Sequence, residues 1–263
     1  MLKHMESSEI IFEREPPLAV LTLNRPHHHN ALTWRMYDQI IQICAEFEAA
    51  AEIRVMIIRG AGGRAFASGT DISQFEQVQG AQGGLDYERR VEATISAVEQ
   101  LSKPVIAAIE GYAVGAGAVL ALVCDLRYGS ATARLGIPIS RTLGNCLSAA
   151  NYARLLDLLG PANTKELMYL GQLAGAERAK SLGLLNAVVA EGNAYEHARQ
   201  VAAEIAERAP LTIRATKESL RRLQMHRRDV NTDDLIGQVY SSEDFREGVR
   251  SFLEHRAAHF RGY

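Results

Sequence analysis

Three glycines, Gly111, Gly115 and Gly117, separate an apolar β-branched run from a long apolar stretch. The run Pro104-Val105-Ile106-Ala107-Ala108-Ile109 has the character of a strand buried on both faces, and Ala118-Val119-Leu120-Ala121-Leu122 that of a buried helix. Glycines crowded into a strand-to-helix turn let the backbone come close to another group. A helix that opens on small residues leaves its first N–H groups unpaired, at the positive end of the helix dipole. Such a turn is an anion or oxyanion site built from main chain. A second candidate donor loop lies upstream, Ala65-Phe66-Ala67-Ser68-Gly69-Thr70-Asp71-Ile72. Two donor loops in one chain point to an enzyme that polarises a carbonyl.

Length and charge bound the alternatives. With 263 residues the chain is one large domain, or one domain with a tail. A net charge of −2 gives no reason to expect nucleic acid or an anionic membrane as partner. Cys44, Cys124 and Cys146 have no metal-ligand spacing and no disulfide framework, which fits a reducing compartment, and no metal is expected. No apolar run reaches membrane-spanning length, so the expected location is cytoplasmic. Residues 1–8 are polar and read as a disordered tail.

The elements follow in alternation. Strands are expected at residues 10–12 and 18–23 about Pro16-Pro17, and at 55–60, 105–109 and 125–129, with a short extended segment at 134–138. Met36, Ile40, Ile43, Cys44 and Phe47 recur at helical spacing. The Gln-Gly patch at 79–84 reads as a mobile loop before a helix at 87–100. Helices are expected at 196–208, stopped by Pro210, at 211–222 and at 242–260, with one brief strand at 188–189. The expected fold class is α/β: a repeated ββα core over residues 9–195, carrying the site, and a helical C-terminal region over 196–263. As a dinucleotide fingerprint the glycine turn fails, because the third glycine and the acidic residue closing the next strand are missing.

The motifs taken together resemble the crotonase (enoyl-CoA hydratase/isomerase) superfamily. The loop at 65–72 is similar to its A-F-x-A-G-x-D-I, and 111–125, ending in Cys124-Asp125, to its glycine turn. Asn24-Arg25-Pro26-His27-His28-His29-Asn30-Ala31-Leu32 is similar to its N-R-P-x-x-x-N-A-L, and residues 176–189 and 242–256 to its late motifs. The resemblance covers nearly the whole chain. It implies a crotonase-like fold whose C-terminal helices build a trimer, or a dimer of trimers, and cover the active site. It implies an acyl-CoA thioester as substrate, with coenzyme A part of that substrate and no separate cofactor. It implies an oxyanion hole of two N–H groups, those of Thr70 and Ala116, with Ser68, Asp71 and Ile72 on the coenzyme A side and His27, His28 and Ala31 nearby. Asp71 also reads as a helix N-cap, and the adjacent histidines as a solvent-facing loop rather than a metal clip, since neighbouring side chains diverge.

The chain departs from the family where a hydratase places two glutamates: those positions hold Val119 and Ile139. Aliphatic groups move no protons, so hydration by the two-glutamate route looks excluded, and the isomerase route is weakened. The polar segment Ser140-Arg141-Thr142-Leu143-Gly144-Asn145-Cys146-Leu147-Ser148 is the candidate replacement. Gly144-Asn145-Cys146 is similar to the G-N-D of a dehalogenase branch, with Cys146 a nucleophile if Arg141 lowers its pKa. The alternatives are a small buried cysteine, a surface or substrate-carboxylate-binding Arg141, and Asn145 as a helix N-cap. Trp34 and Tyr152 read as packing residues. The Thr70 side chain suits a decarboxylase-type reaction, which needs little beyond enolate stabilisation. The opposing reading is a non-catalytic acyl-CoA-binding homologue.

Overall fold

The computed structural model describes residues 8–225 and 231–262. Of the tail expected at 1–8, only Ser8 is among them. Strands β1 (Ile10–Glu15) and β2 (Leu18–Leu23) form an antiparallel hairpin, with Ile10 opposite Leu23 and Glu15 opposite Leu18, and helix α1 (Trp34–Ala49) follows. Three ββα units come next: β3 (Val55–Gly60), β4 (Ala65–Ala67) and α2 (Gly80–Glu99); β5 (Val105–Ile109), β6 (Tyr112–Val114) and α3 (Ala116–Leu122); β7 (Leu126–Ser130), β8 (Arg134–Gly136) and α4 (Ala149–Leu170). In each unit the first strand enters one sheet and the second strand another. The larger sheet has the order β1-β2-β3-β5-β7-β10, closed by β10 (Ala187–Val189), and the smaller β4-β6-β8-β9, closed by β9 (Ala174–Gly175). Between β9 and β10 lies α5 (Ala176–Ser181); after β10 come α6 (Ala194–Ala206), α7 (Pro210–Met225), α8 (Asp233–Tyr240) and α9 (Glu243–Leu253). The expected repeated ββα core is present.

Burial explains why the strand runs are apolar without alternation. Met56, Ile58, Val105 and Ala107 belong to the main core with the buried residues of α1 and α2. Val55, Ile57, Ile106 and Ala108 face the other way, onto Ala198, Ala202 and Ala206 of α6. A parallel sheet covered on both faces needs apolar side chains at every position. Helix α6 is therefore part of the core, which extends about ten residues beyond the boundary expected at 195. Helix α7 has no buried residue, whereas α8 packs along α2, and α9 on the 3-10 segment Ile72–Gln77.

Three expectations are corrected, and one helix is added. The Gln-Gly patch at 79–84 is not a loop: α2 begins at Gly80. Its glycines are poor helix formers, but Gly84 seats the ring of Tyr240, since a Cβ there would lie 2.3 Å from Tyr240 Cγ. Pro210 does not merely follow a helix; it opens α7, where its missing N–H costs nothing. The helix expected to reach 260 ends at Leu253, and the chain folds back so that Gly262 N–H donates to Asp244 at 2.7 Å. Helix α8, too short to give a clear period, escapes sequence reading. Among the described residues no helix is long and apolar enough to cross a membrane.

Candidate active site

The two glycine loops meet. Leu32 N–H donates to Gly69 O at 2.8 Å and Asp71 N–H to Leu32 O at 2.9 Å, a bridge that uses the neighbours of Thr70 and leaves its own N–H outside. On the facing loop Gly115 N–H donates to Gly136 O at 3.0 Å and Val119 N–H to Gly115 O at 3.1 Å. Among the described residues neither the Thr70 nor the Ala116 N–H has a protein acceptor. Gly69 has φ 105° and Gly115 φ 55°, values that L side chains rarely adopt. A Cβ on Gly69 would lie 3.8 Å from Ala116 N, which measures how closely the loops approach. Gly117 is fixed by packing, because a Cβ there would sit 2.3 Å from Ala67 O. Ala116 has no left-handed backbone, so alanine is unstrained where the family motif has glycine.

Both loops line a cavity of about 130 Å³. Ser68, Thr70 and Ile72 come from the first loop, and Ala116 and Val119 from the second. Ile139, Asn145 and Leu147 come from the segment before α4, and Phe252 from α9. Val119 and Ile139 thus present hydrocarbon to the cavity.

Helix α2 supplies what the sequence reading missed. Tyr87, Glu88 and Val91 line the same cavity. Tyr87 OH lies 2.9 Å from Thr70 Oγ1, and Tyr37 OH lies 2.6 Å from it on the other side. Tyr37 is fully buried and, among the described residues, Thr70 is its hydroxyl's one partner, so its proton goes to Thr70 Oγ1. One hydroxyl proton, on Thr70 or Tyr87, is then left over at the cavity wall.

Glu88 is 4% exposed. Its Oε1 accepts the Tyr240 O–H at 2.7 Å and its Oε2 the Ser148 N–H at 3.0 Å. Tyr240 OH accepts in turn from Asn145 Nδ2 at 3.1 Å. Burial raises the Glu88 carboxyl to about 7; the bonds from Tyr240 and Ser148 oppose the rise, and the charge of Glu92 adds to it. Glu92 and Glu99 are held by buried Arg154 at 2.6 and 2.8 Å, which clamps α4 to α2 behind the site. Little in the sequence marks Glu88. Tyr87-Glu88-Arg89-Arg90-Val91-Glu92 reads as a solvated helix face, and the partner that buries the carboxylate lies 152 positions away.

The remaining sequence candidates fall in different places. Asn145 lines the cavity, and among the described residues its Oδ1 is buried with no partner; the N-cap of α4 is Ser148, not Asn145. Cys146 is half-buried against the core and does not line the cavity. Burial, with the charge of Glu88, pushes its thiol up to about 12, so the lowered pKa required for a thiolate is reversed. Arg141 is exposed, does not line the cavity and is not among the charges acting on Cys146. Asp71 caps the segment Ile72–Gln77 by accepting from Ser73 N–H, and pairs with Arg25 at 2.9 Å. Burial raises its carboxyl, but the bonds from Ser73 and Arg25 outweigh this and hold it below its ordinary value. His27 and His28 are exposed on a short turn outside the cavity, and the Ala31 carbonyl accepts from Arg25. Trp34 and Tyr152 pack against the core. Among the described residues no group of His, Cys, Asp or Glu is placed to hold a metal.

Known proteins are similar to this chain along nearly its whole length. The short-chain-enoyl-CoA hydratase of Clostridium acetobutylicum is 32% identical over 96% of this chain and 97% of its own. A solved methylmalonyl-CoA decarboxylase in complex with 2-nitronate-propionyl-CoA superimposes with a TM-score of 0.87 at 28% identity, covering 97% of this chain and 99% of that one. An enoyl-CoA hydratase/isomerase from Xanthobacter autotrophicus Py2 gives a TM-score of 0.84 at 28% identity, over 97% and 99%. Residues 13–263 match the enoyl-CoA hydratase/isomerase family, and with the paired glycine loops in place the chain belongs to that family.

Proposed function

We propose that this chain is an acyl-CoA thioester enzyme that stabilises an enolate, the thioester oxygen accepting from the N–H groups of Thr70 and Ala116. The observation that carries the reading is the pair of unpaired amides on facing loops over one largely apolar cavity. Fixed donors in a dry site stabilise developing negative charge without reorganising. In this reading Ser68 and Ile72, which line the cavity, meet the coenzyme A part of the substrate, and His27, His28 and Ala31, outside the lining, lie further along it. With Val119 and Ile139 in the cavity wall, the two-glutamate activation of water is absent from this reading. The exposed Leu211, Leu220 and Leu223 of α7 support assembly as a homotrimer or dimer of trimers.

A second reading, decarboxylation of a malonyl-type thioester, is favoured by one observation. The spare hydroxyl proton at Thr70 or Tyr87 suits a substrate carboxylate, and the reaction needs enolate stabilisation above all.

Ala116→Pro tests the main reading. Proline is tolerated at the first helical position, where its ring Cδ replaces the amide hydrogen, so the donor is lost and the space before it is partly filled. Loss of one such donor lowers turnover by about 10²–10³-fold. Acetoacetyl-CoA should bind to the wild type as its enolate, read by ultraviolet absorbance, and to the variant as its keto form. Equal enolate formation in both would overturn the reading.

A further inference from the structure

We propose that Glu88 is the group that moves the α-proton of the acyl-CoA in this pocket, in place of the carboxylates absent at Val119 and Ile139. The inference rests on the enolate reading above and adds its missing base. Glu88 lines the cavity that holds the Thr70 and Ala116 amides, and the residue before it, Tyr87, bonds to Thr70 itself. Both carboxyl oxygens are oriented, one by Tyr240 and one by Ser148 N–H, and each keeps a second lone pair for a proton in transit. The apolar walls, Val91, Val119, Ile139 and Leu147, exclude competing water. Among the described residues Asn145 Oδ1, beside this chain of bonds, is buried without a partner on the lining of the same cavity, an acceptor open to a donor from the substrate.

The step balances without a co-reactant. The Cα–H bond breaks and its proton passes to a Glu88 oxygen. The bonding pair forms a Cα–C double bond, and the carbonyl pair moves to the oxygen held by the two amides. The protonated Glu88 returns the proton to Cα, or, when the chain is β,γ-unsaturated, to Cγ of the dienolate: the oxygen pair re-forms the carbonyl, the Cα–C π pair becomes the Cα–Cβ double bond, and the Cβ–Cγ π pair takes the proton. The substrate class is therefore an acyl-CoA with an enolisable α-carbon, and the net reaction a 1,3 double-bond shift when the chain is β,γ-unsaturated.

The charges around Glu88 set the pH at which it works. Glu92 on its own helix raises its pKa and is itself paired with Arg154 of α4. The phenols of Tyr37, Tyr87, Tyr152 and Tyr240 and the thiol of Cys146 are each pushed up by burial, with Glu88 adding to the rise, and stay neutral. Glu88 is thus the cavity group that changes charge near neutrality, at about 7.

The experiment compares wild type, Glu88→Gln and Tyr240→Phe. Hydrogen exchange at the α-carbon of butyryl-CoA in D2O is read by NMR, and turnover is read with a β,γ-enoyl-CoA. Acetoacetyl-CoA enolate formation is the separate readout of the amides. Glu88→Gln should keep the acetoacetyl-CoA enolate but lose about 10²-fold or more of exchange and turnover. Wild-type kcat/KM should rise with pH and level off above about 7, the pKa of the free carboxyl. Tyr240→Phe removes a bond that lowers this pKa, so it should shift the limb upward, which a purely structural role would not do. Undiminished exchange in Glu88→Gln, or an unmoved limb in Tyr240→Phe, overturns the assignment while leaving the enolate reading intact. Absence of an acetoacetyl-CoA enolate on the wild type overturns both.

Discussion

Glu88 Oε1 accepts the phenolic hydrogen of Tyr240 at 2.7 Å, a bond that joins α2 to the last turn of α8 across 152 positions. It ties the C-terminal helices to the cavity wall. The late helices therefore contribute to the cavity itself, with Phe252 of α9 among its lining residues.

The burial of Glu88 predicts how stability depends on pH. The carboxyl is raised from its ordinary 4.5 to about 7 in the folded chain. The folded state therefore holds this proton more tightly than the unfolded state. Its contribution is fully present below about 4.5 and is lost as pH rises through about 7. The loss amounts to about 3 kcal/mol. Glu88→Gln carries no ionisation cost, so urea unfolding should find it gaining on the wild type by that amount between pH 4.5 and pH 8. A constant difference between the two proteins would contradict the burial of an ionisable carboxyl here.

Gly84 is the companion of this bond. A Cβ there would lie 2.3 Å from Tyr240 Cγ and 2.4 Å from Tyr240 Cβ, atoms near the backbone that cannot swing aside. Gly84→Ala gains up to about 1 kcal/mol of helix propensity. Overpacking against fixed atoms costs about 1–3 kcal/mol and displaces Tyr240 from Glu88. The variant should melt lower than wild type and show the same upward shift of its pH–rate limb as Tyr240→Phe. A variant with raised melting temperature and an unchanged limb would show that α2 and α8 are not packed this closely.

Gly84 also marks the limit of what the sequence reveals. The strands were legible because a doubly covered sheet writes itself as unbroken apolar runs, as in Val55-Met56-Ile57-Ile58. The glycine turns were legible because Gly69 and Gly115 take a positive φ that L side chains rarely adopt, and Gly117 leaves no room for a Cβ beside Ala67 O. Helix α2 was misjudged at its start, because the reason for its glycines is a tyrosine on another helix. Glu88 was invisible for the same reason: its neighbours Arg89 and Arg90 are exposed, and its own burial comes from α8 and from the loop before α4. Asn145 was legible as a polar oddity, but its role as partner of Tyr240 was not.

Thr70 offers two separable groups, an N–H without a protein acceptor among the described residues and a hydroxyl between Tyr37 and Tyr87. Thr70→Val keeps the shape and the N–H and removes the hydroxyl. The Tyr37 hydroxyl then loses its one acceptor inside the core, which costs about 1–3 kcal/mol of stability. Acetoacetyl-CoA should still bind as the enolate, since both amides remain. Turnover of a β,γ-enoyl-CoA should survive in the folded fraction, because its proton path runs through Glu88. If instead a malonyl-type thioester is the substrate, the same variant should lose decarboxylation while keeping the enolate signal, because the hydroxyl that orients the departing carboxylate is gone. Thr70→Ser, which restores the hydroxyl, should recover stability in either case. A Thr70→Val protein as stable as wild type would mean that the Tyr37 hydroxyl has another acceptor, and that the spare proton at the cavity wall does not exist.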